Sequence, residues 1–600
     1  MNRAIKQLER KTGVFAPLFS VHSSRSAGVG DFEDLKRVVD WCALTGQSII
    51  QLLPMNDRLT SVYAPSSLFA LEPQYMAMER LIGVDQHVAE FAAAAVRRQY
   101  PAGQGYVDYA VKGEKLKWLY ELFAAIEEPL PEAYFAFIHE QREWLHDYAL
   151  YKTIKREHSE DRWEYWDEPL RDRHPEALAA FERKHEKRLQ FFKWLQWQLF
   201  EQFREARAYA ESRGVSLMGD FFYIVMSDSV DTWASREMFQ LDRCPGLPPE
   251  PGSPRGQRWD DQPVYNWKRM QEDGYRFLTR RVTYQENFFH ILRIDHISSF
   301  FRVWSIPANE PWETLGLNGR YEPSTYSEWE EQGRAMLEAM RQGTSMMFCA
   351  ENLGPFTTFF TPVVRDLGIP IINFQRWEKD YDGTCKFKAL QDYDELTMIT
   401  LSNHDTSCWT DWWENEAGTV EDSWFREYCG YLELHYETVR DKLFNLEQSA
   451  SGKLRWRDDV DTVDIMLERI QRHAFQVAGL IHRYHCTFQE REQLASQVLA
   501  GIADPAETDS RRMLQAAMIG AMRSNAVFCA HSIIDWLAVL GLVEKEAAAE
   551  MRISRPGIAD VKDWSLTIPI PIEKLLEDAV VAEARRIVEA GRVSQVESVS

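Results

Sequence analysis

Eight short apolar stretches punctuate a chain that is otherwise charged and largely helical in pattern. They cover residues 13–19, 48–54, 215–220, 289–295, 346–351, 369–374, 398–402 and 526–529. Each runs apolar continuously rather than in alternation, as a parallel strand buried on both faces does. Helical patterns separate most of them, such as residues 31–45 and 326–342. Asp31 suits the N-cap of the first, with Asp34 in its opening turn. Strand and helix alternating in this way predict an α/β fold, a (β/α)8 TIM barrel with large helical insertions. Two intervals are too long for ordinary βα loops: 77–214, between strands 2 and 3, and 414–521, between strands 7 and 8. Both are read as helical insertions packed on a single catalytic barrel spanning 1–600. Residues 593–600 are polar and expected to fray.

Asp295 and Glu351 close two of these runs, as Asp220 does another, and Asp405 stands three residues beyond a fourth. The carboxyl ends of barrel strands are where such folds gather their chemistry. Arg293 and Asp295 lie two apart, so they share one face of their strand. A cation there is expected to lower the Asp295 pKa and keep it ionised, as a nucleophile must be. A purely structural Arg–Asp pair fits that stretch equally well. Glu351 follows Ala350, and apolar surroundings would keep its carboxyl protonated, the state of an acid catalyst. A surface glutamate is the plainer alternative. His404 and Asp405 could bind a sugar hydroxyl and offset oxocarbenium charge, or merely make an Asn-His-Asp turn. Taken together, three acids at three strand ends point to glycosidic-bond chemistry.

Composition narrows the field. A net charge of −23 argues against nucleic acid and anionic membranes as partners. The 8 cysteines are scattered with no Cys-x-x-Cys pair, so reduced, buried thiols are expected. His482-x-x-His485 precedes Cys486, but no nearby cluster completes a metal site, and no metal or cofactor is expected. Gly28-x-Gly30 lacks the third glycine of a dinucleotide loop. Residues 1–7 carry no apolar signal core, and no apolar run approaches the roughly 18 residues of a membrane span. A cytoplasmic location is expected. The 21 Trp, 23 Tyr and 32 Phe include more rings than a sugar site needs, and most belong to the core.

Several longer motifs resemble those of the 4-α-glucanotransferases, the amylomaltases and disproportionating enzymes of glycoside hydrolase family 77. They are Ser61-Val62-Tyr63-Ala64-Pro65 through Pro73, Trp144 to Leu150, Gly219-Asp220 through Trp233, Gly256-Gln257-Arg258-Trp259, and Pro263 to Trp267. Arg293-Ile294-Asp295-His296, Ala350-Glu351-Asn352-Leu353-Gly354 and His404-Asp405 resemble the three catalytic motifs. The resemblance covers nearly the whole chain. It implies that Asp295 is the nucleophile, Glu351 the acid/base and Asp405 the transition-state stabiliser. By the same likeness Tyr63, Asp220, Trp259, Arg293, His296 and His404 bind sugar. It further implies malto-oligosaccharides or α-1,4-glucans as substrates, and transfer by a retaining double displacement through a covalent glycosyl-enzyme. A retaining α-glucan hydrolase and a non-catalytic glucan-binding barrel remain as alternatives, and oligomeric state stays open. Three departures stand out: Asn352 replaces the usual Asp, Ser299 replaces a common Gly, and residues 250–254 lack an expected aromatic pair. Residues 299–304 are closer to the version of plant-cytosolic-like members, without an evident counterpart of their starch-binding modules.

Overall fold

All eight apolar stretches are strands of one closed barrel in the computed structural model, which describes residues 9–127, 129–249, 255–351, 358–504, 507–555, 560 and 562–592. The strands are β1 (Lys11–Phe15), β2 (Ile49–Gln51), β3 (Ser216–Phe221), β4 (Ile291–Ile294), β5 (Met347–Glu351), β6 (Ile371–Phe374), β7 (Thr397–Thr400) and β8 (Phe528–Ser532). Around the barrel they follow the order β1-β8-β7-β6-β5-β4-β3-β2. The β3–β4 and β4–β5 pairs are parallel, and their register sets Asp220 beside Arg293 and Arg293 beside Cys349. Every residue of β4, Ile-Leu-Arg-Ile, is buried, which explains its unbroken apolar pattern despite one charged member.

Local chemistry starts and stops the helices. Helix α1 (Phe32–Thr45) begins at Asp31, whose carboxylate accepts from the Glu33 and Asp34 amides, while the Asp34 carboxylate accepts from the Asp31 amide. It ends at Gly46, whose φ of 81° lies in the left-handed region that a Cβ disfavours. Leu35, Val38, Val39, Trp41 and Cys42 form its buried face. Between β2 and β3 the chain is helical, and its longest helix is α2 (Pro175–Ser212), interrupted at His185. Trp194 and Trp197 of α2 are fully buried. Between β7 and β8, short helices enclose a core of their own, including Phe425, Phe444, Trp456, Leu480 and Tyr484.

Two compact units emerge, the first mostly Gly13–Ile372 and the second mostly Asn373–Ala559. In the first, an antiparallel sheet that the periodicity did not announce joins Arg320–Glu322, Val303–Pro307, Arg243–Leu247 and Gln257–Arg258. Its pieces are too short to carry a readable alternation. Among the described residues, no helix is long and apolar enough to cross a membrane.

The cysteines correct one expectation. Cys385 and Cys486 form a disulfide, while Cys42, Cys244, Cys349, Cys408, Cys429 and Cys529 are buried and in no disulfide. His482 joins the bridged pair, so the missing partner for the His482/Cys486 segment is Cys385. The two cysteines stand 101 residues apart, and no spacing rule could pair them.

Candidate active site

One guanidinium organises the first unit's charged centre. Arg293, buried to 2% exposure, reaches Asp220 at 2.6 Å and Asp295 at 2.9 Å through Nη1, and Glu351 at 2.5 Å through Nη2. The Tyr63 hydroxyl donates to Asp220 at 2.7 Å and accepts from Arg293 Nη1 at 3.2 Å. These contacts follow from the barrel: Asp220 and Arg293 are register neighbours on β3 and β4, Asp295 extends β4, and Glu351 ends β5. The Asp295 amide donates to the Phe221 carbonyl at 3.0 Å, so the β3–β4 pairing continues to the acid itself.

His296 turns the chain sharply after β4. Its φ of 43° is left-handed, an uncommon state for a residue with a Cβ. That conformation aims the His296 amide at Glu351 Oε2, at 2.9 Å. Ser299 lies buried in the 3-10 turn that follows, and its backbone is not left-handed, so a glycine is not demanded there. Trp259, half-buried, meets the His296 ring edge-on at 5.7 Å. Asn352 and residues 250–254 lie outside the described residues.

The electrostatics reverse one expectation. Burial pushes the Asp295 pKa well up, and the neighbouring Glu351 and Asp220 carboxylates add to it, outweighing Arg293. The expectation of a lowered value counted the cation but not the burial, nor the two further acids that share it. Glu351 is also a hydrogen-bonding neighbour of Asp295, so a proton held here belongs to the pair. Arg293 stays charged because Asp220, Glu351 and Asp295 overcome the burial that works against it. Burial lowers the His296 pKa and keeps its ring neutral near pH 7, against the pull of Glu351.

His404 and Asp405 follow β7 in the second unit. His404 Nε2 lies 3.1 Å from Asp405 Oδ2, and the Asp405 amide donates to Asn403 Oδ1 at 2.9 Å. Ser554, which no motif singled out, donates its hydroxyl to Asp405 Oδ1 at 3.1 Å. Its amide also bonds the His404 carbonyl at 3.1 Å. Ser554→Ala is expected to lower kcat about 10-fold with little change in KM, the loss of one hydrogen bond to a charged group. Steady-state kinetics check this.

Trp564 also escaped notice. Its indole packs edge-on against Tyr63 at 5.4 Å, and Tyr109 donates its hydroxyl to the Trp564 carbonyl. A tryptophan near the far end of a chain carries no local sign that it will meet residue 63. The structure thus brings together Tyr63, Asp220, Trp259, Arg293, Asp295, His296 and Glu351, and sets His404 beside Asp405.

Known proteins of one family match this chain over most of its length. A family described as 4-alpha-glucanotransferase, glycoside hydrolase family 77, matches residues 16–571. The chain is 30% identical over 499 residues to a 4-alpha-glucanotransferase of Chlamydia pneumoniae, across 81% of this chain and 92% of that one. It is 32% identical over 339 residues to 4-alpha-glucanotransferase DPE2 of Oryza sativa subsp. japonica, across 54% of this chain and 35% of that one. In fold it is similar to amylomaltase from Streptococcus agalactiae, solved in complex with acarbose. That match has a TM-score of 0.68 and 19% identity, across 98% of this chain and 100% of that one. Amylomaltase from Corynebacterium glutamicum superposes with a TM-score of 0.70 and 18% identity, across 96% of this chain and 75% of that one.

Proposed function

The chain belongs to the 4-alpha-glucanotransferase family, glycoside hydrolase family 77, and from that premise we propose a retaining double displacement on α-1,4-glucans. The protein is an enzyme, a 4-α-glucanotransferase. Asp295 attacks the anomeric carbon of a malto-oligosaccharide while Glu351 protonates the departing glycosidic oxygen. The shorter sugar leaves, and the glucan remains bound covalently to Asp295. Glu351 then takes the proton from the 4-hydroxyl of an incoming sugar, which displaces Asp295 and retains the α configuration. Atoms balance: one glycosidic bond breaks, one forms, and Glu351 ends as it began.

The observation that carries this reading is the shared guanidinium. Asp295 and Glu351 both touch Arg293 and are hydrogen-bonding neighbours of each other. Inverting pairs stand roughly 6.5–9.5 Å apart to admit a water, whereas retaining pairs are closer. The raised Asp295 value supports a single proton within the pair, and catalysis requires that proton on Glu351. Arg293 would then compensate the Asp295 anion. The His296 amide fixes the Glu351 carboxyl through the oxygen that Arg293 does not hold. We assign Tyr63, Asp220, Trp259, Arg293, His296 and His404 to sugar binding, and Asp405 to stabilising oxocarbenium charge. Trp259 and Tyr63 supply ring faces of the kind that sugar CH groups pack against.

Transfer demands that sugar outcompete water for the intermediate, which a bound acceptor at high effective concentration achieves. A time course on maltotriose tests this. Glucose with maltopentaose and longer chains is the expected product set. Maltose and glucose alone would mean that water wins and the chain is a hydrolase.

A further inference from the structure

We propose that Cys385, His482 and Cys486 form a binding site for a soft divalent cation of the zinc class, available when the disulfide is open. The donor set is two thiolates and one imidazole, the combination such cations prefer. His482 and Cys486 are one helical turn apart on the helix Ala478–Thr487, so they face the same side. Cys385 comes from the turn that its own amide closes on the Asp380 carbonyl at 2.8 Å. One donor atom from each residue lies within 4.8 Å of the other two. The Cys385 sulfur is 3.9 Å from His482 Nδ1, and the Cys486 sulfur is 3.7 Å from Nε2. A tetrahedral zinc site with bonds of about 2.3 Å to sulfur and about 2.0 Å to nitrogen has a sulfur–nitrogen edge of about 3.5 Å. The two distances run to different ring nitrogens, so one nitrogen serves both sulfurs once the imidazole turns and the sulfurs part.

The surroundings suit a cation that enters from solvent. Both cysteines are buried while His482 is exposed, which leaves an entry side and room for water as a fourth ligand. Lys379, its side chain buried, donates to the Cys486 carbonyl at 2.6 Å and to Glu490, which anchors the end of the helix.

Opening the site is a balanced exchange. A dithiol or phosphine reductant takes up the oxidation, and the bridge becomes two thiols. The cation then displaces two protons and binds two thiolates. Disulfide and metal are mutually exclusive, yet each ties the segment after β6 to the helical insertion after β7. In a reducing compartment the dithiol form is the one present, so the metal would replace the bridge.

The test uses the full chain, reduced with a phosphine, desalted without oxygen and titrated with Co2+ and then Zn2+. We expect one equivalent of Co2+ to give a sulfur-to-metal charge-transfer band with tetrahedral d–d bands, bleached by Zn2+. Bound Zn2+ should also hold all 8 thiols against a mild thiol oxidant, whereas the metal-free chain falls to the 6 cysteines outside the bridge. His482→Gln keeps both sulfurs and alters an exposed side chain, so it should fold; its Co2+ affinity should fall about 10-fold or more. Absence of the charge-transfer band in the reduced chain overturns the proposal. So does an undiminished band in the Cys385→Ser/Cys486→Ser variant, or a bridge that no phosphine opens in the folded protein.

Discussion

Asp295→Asn should lower kcat on maltotriose by about 10^4-fold or more, retain glucan binding, and yet unfold at a higher temperature than the parent at pH 8. The kinetic half follows from replacing the proposed carboxylate nucleophile with a far less nucleophilic amide. An amide keeps the shape and a hydrogen-bond acceptor, so binding of intact glucan survives; calorimetry on maltoheptaose would show it. The stability half follows from proton counting. An unfolded aspartate titrates at about 3.9. In the native enzyme, burial with Glu351 and Asp220 holds the Asp295 carboxyl well above that. Between those two values the folded state binds more protons than the unfolded one. Stability is therefore full below the unfolded value and declines as pH rises through the folded one. The amide of the variant does not titrate, so it escapes that decline. The variant should therefore be more stable than the parent near pH 8, with the difference shrinking towards pH 4. Thermal unfolding across that pH range decides it. A variant less stable than the parent at pH 8 would mean that Asp295 stabilises the centre as an ion-pair partner, and the shared-proton account would fall.

Glu351→Gln should cost about 10^3-fold on maltotriose but far less in the first step with an α-glycosyl fluoride donor. Fluoride leaves without a proton, so the missing acid no longer matters to bond cleavage. The second step still lacks its base, so the glycosyl-enzyme should accumulate on Asp295. Intact-protein mass spectrometry would read the added glycosyl mass, and peptide mapping would place it. Azide, a nucleophile needing no deprotonation, should restore turnover and give a product of α configuration. A β product would exclude retention. The Gln side chain can still accept from the His296 amide, so the local fold should persist. Together the two variants separate nucleophile from proton carrier, which neither does alone.

The strands were readable because burial on both faces writes itself locally, as unbroken apolar runs of a few residues. The shared face of Arg293 and Asp295 was likewise a matter of two-residue alternation. The acids stood out because each closes or shortly follows such a run. Helix α1 announced its start through Asp31, since a cap acts on amides two and three residues away. All of these are short-range rules, and a linear chain records them.

What depends on convergence did not show. The direction of the Asp295 shift rests first on burial, then on Glu351 from the next strand and on Asp220, brought onto the same cation by barrel register. A reading limited to the Arg293–Asp295 pair assigned it the opposite sign. Ser554 reaches Asp405 from 149 residues away, and Trp564 reaches Tyr63 from the far end of the chain. The Cys385–Cys486 bridge spans 101 residues. Sequence by itself determined the barrel, its strand ends and the acids upon them, because backbone pattern and burial are encoded within a few residues. Tertiary structure alone decided how many charges surround each acid and which sulfur meets which, because Coulomb and covalent partners are chosen by distance in space.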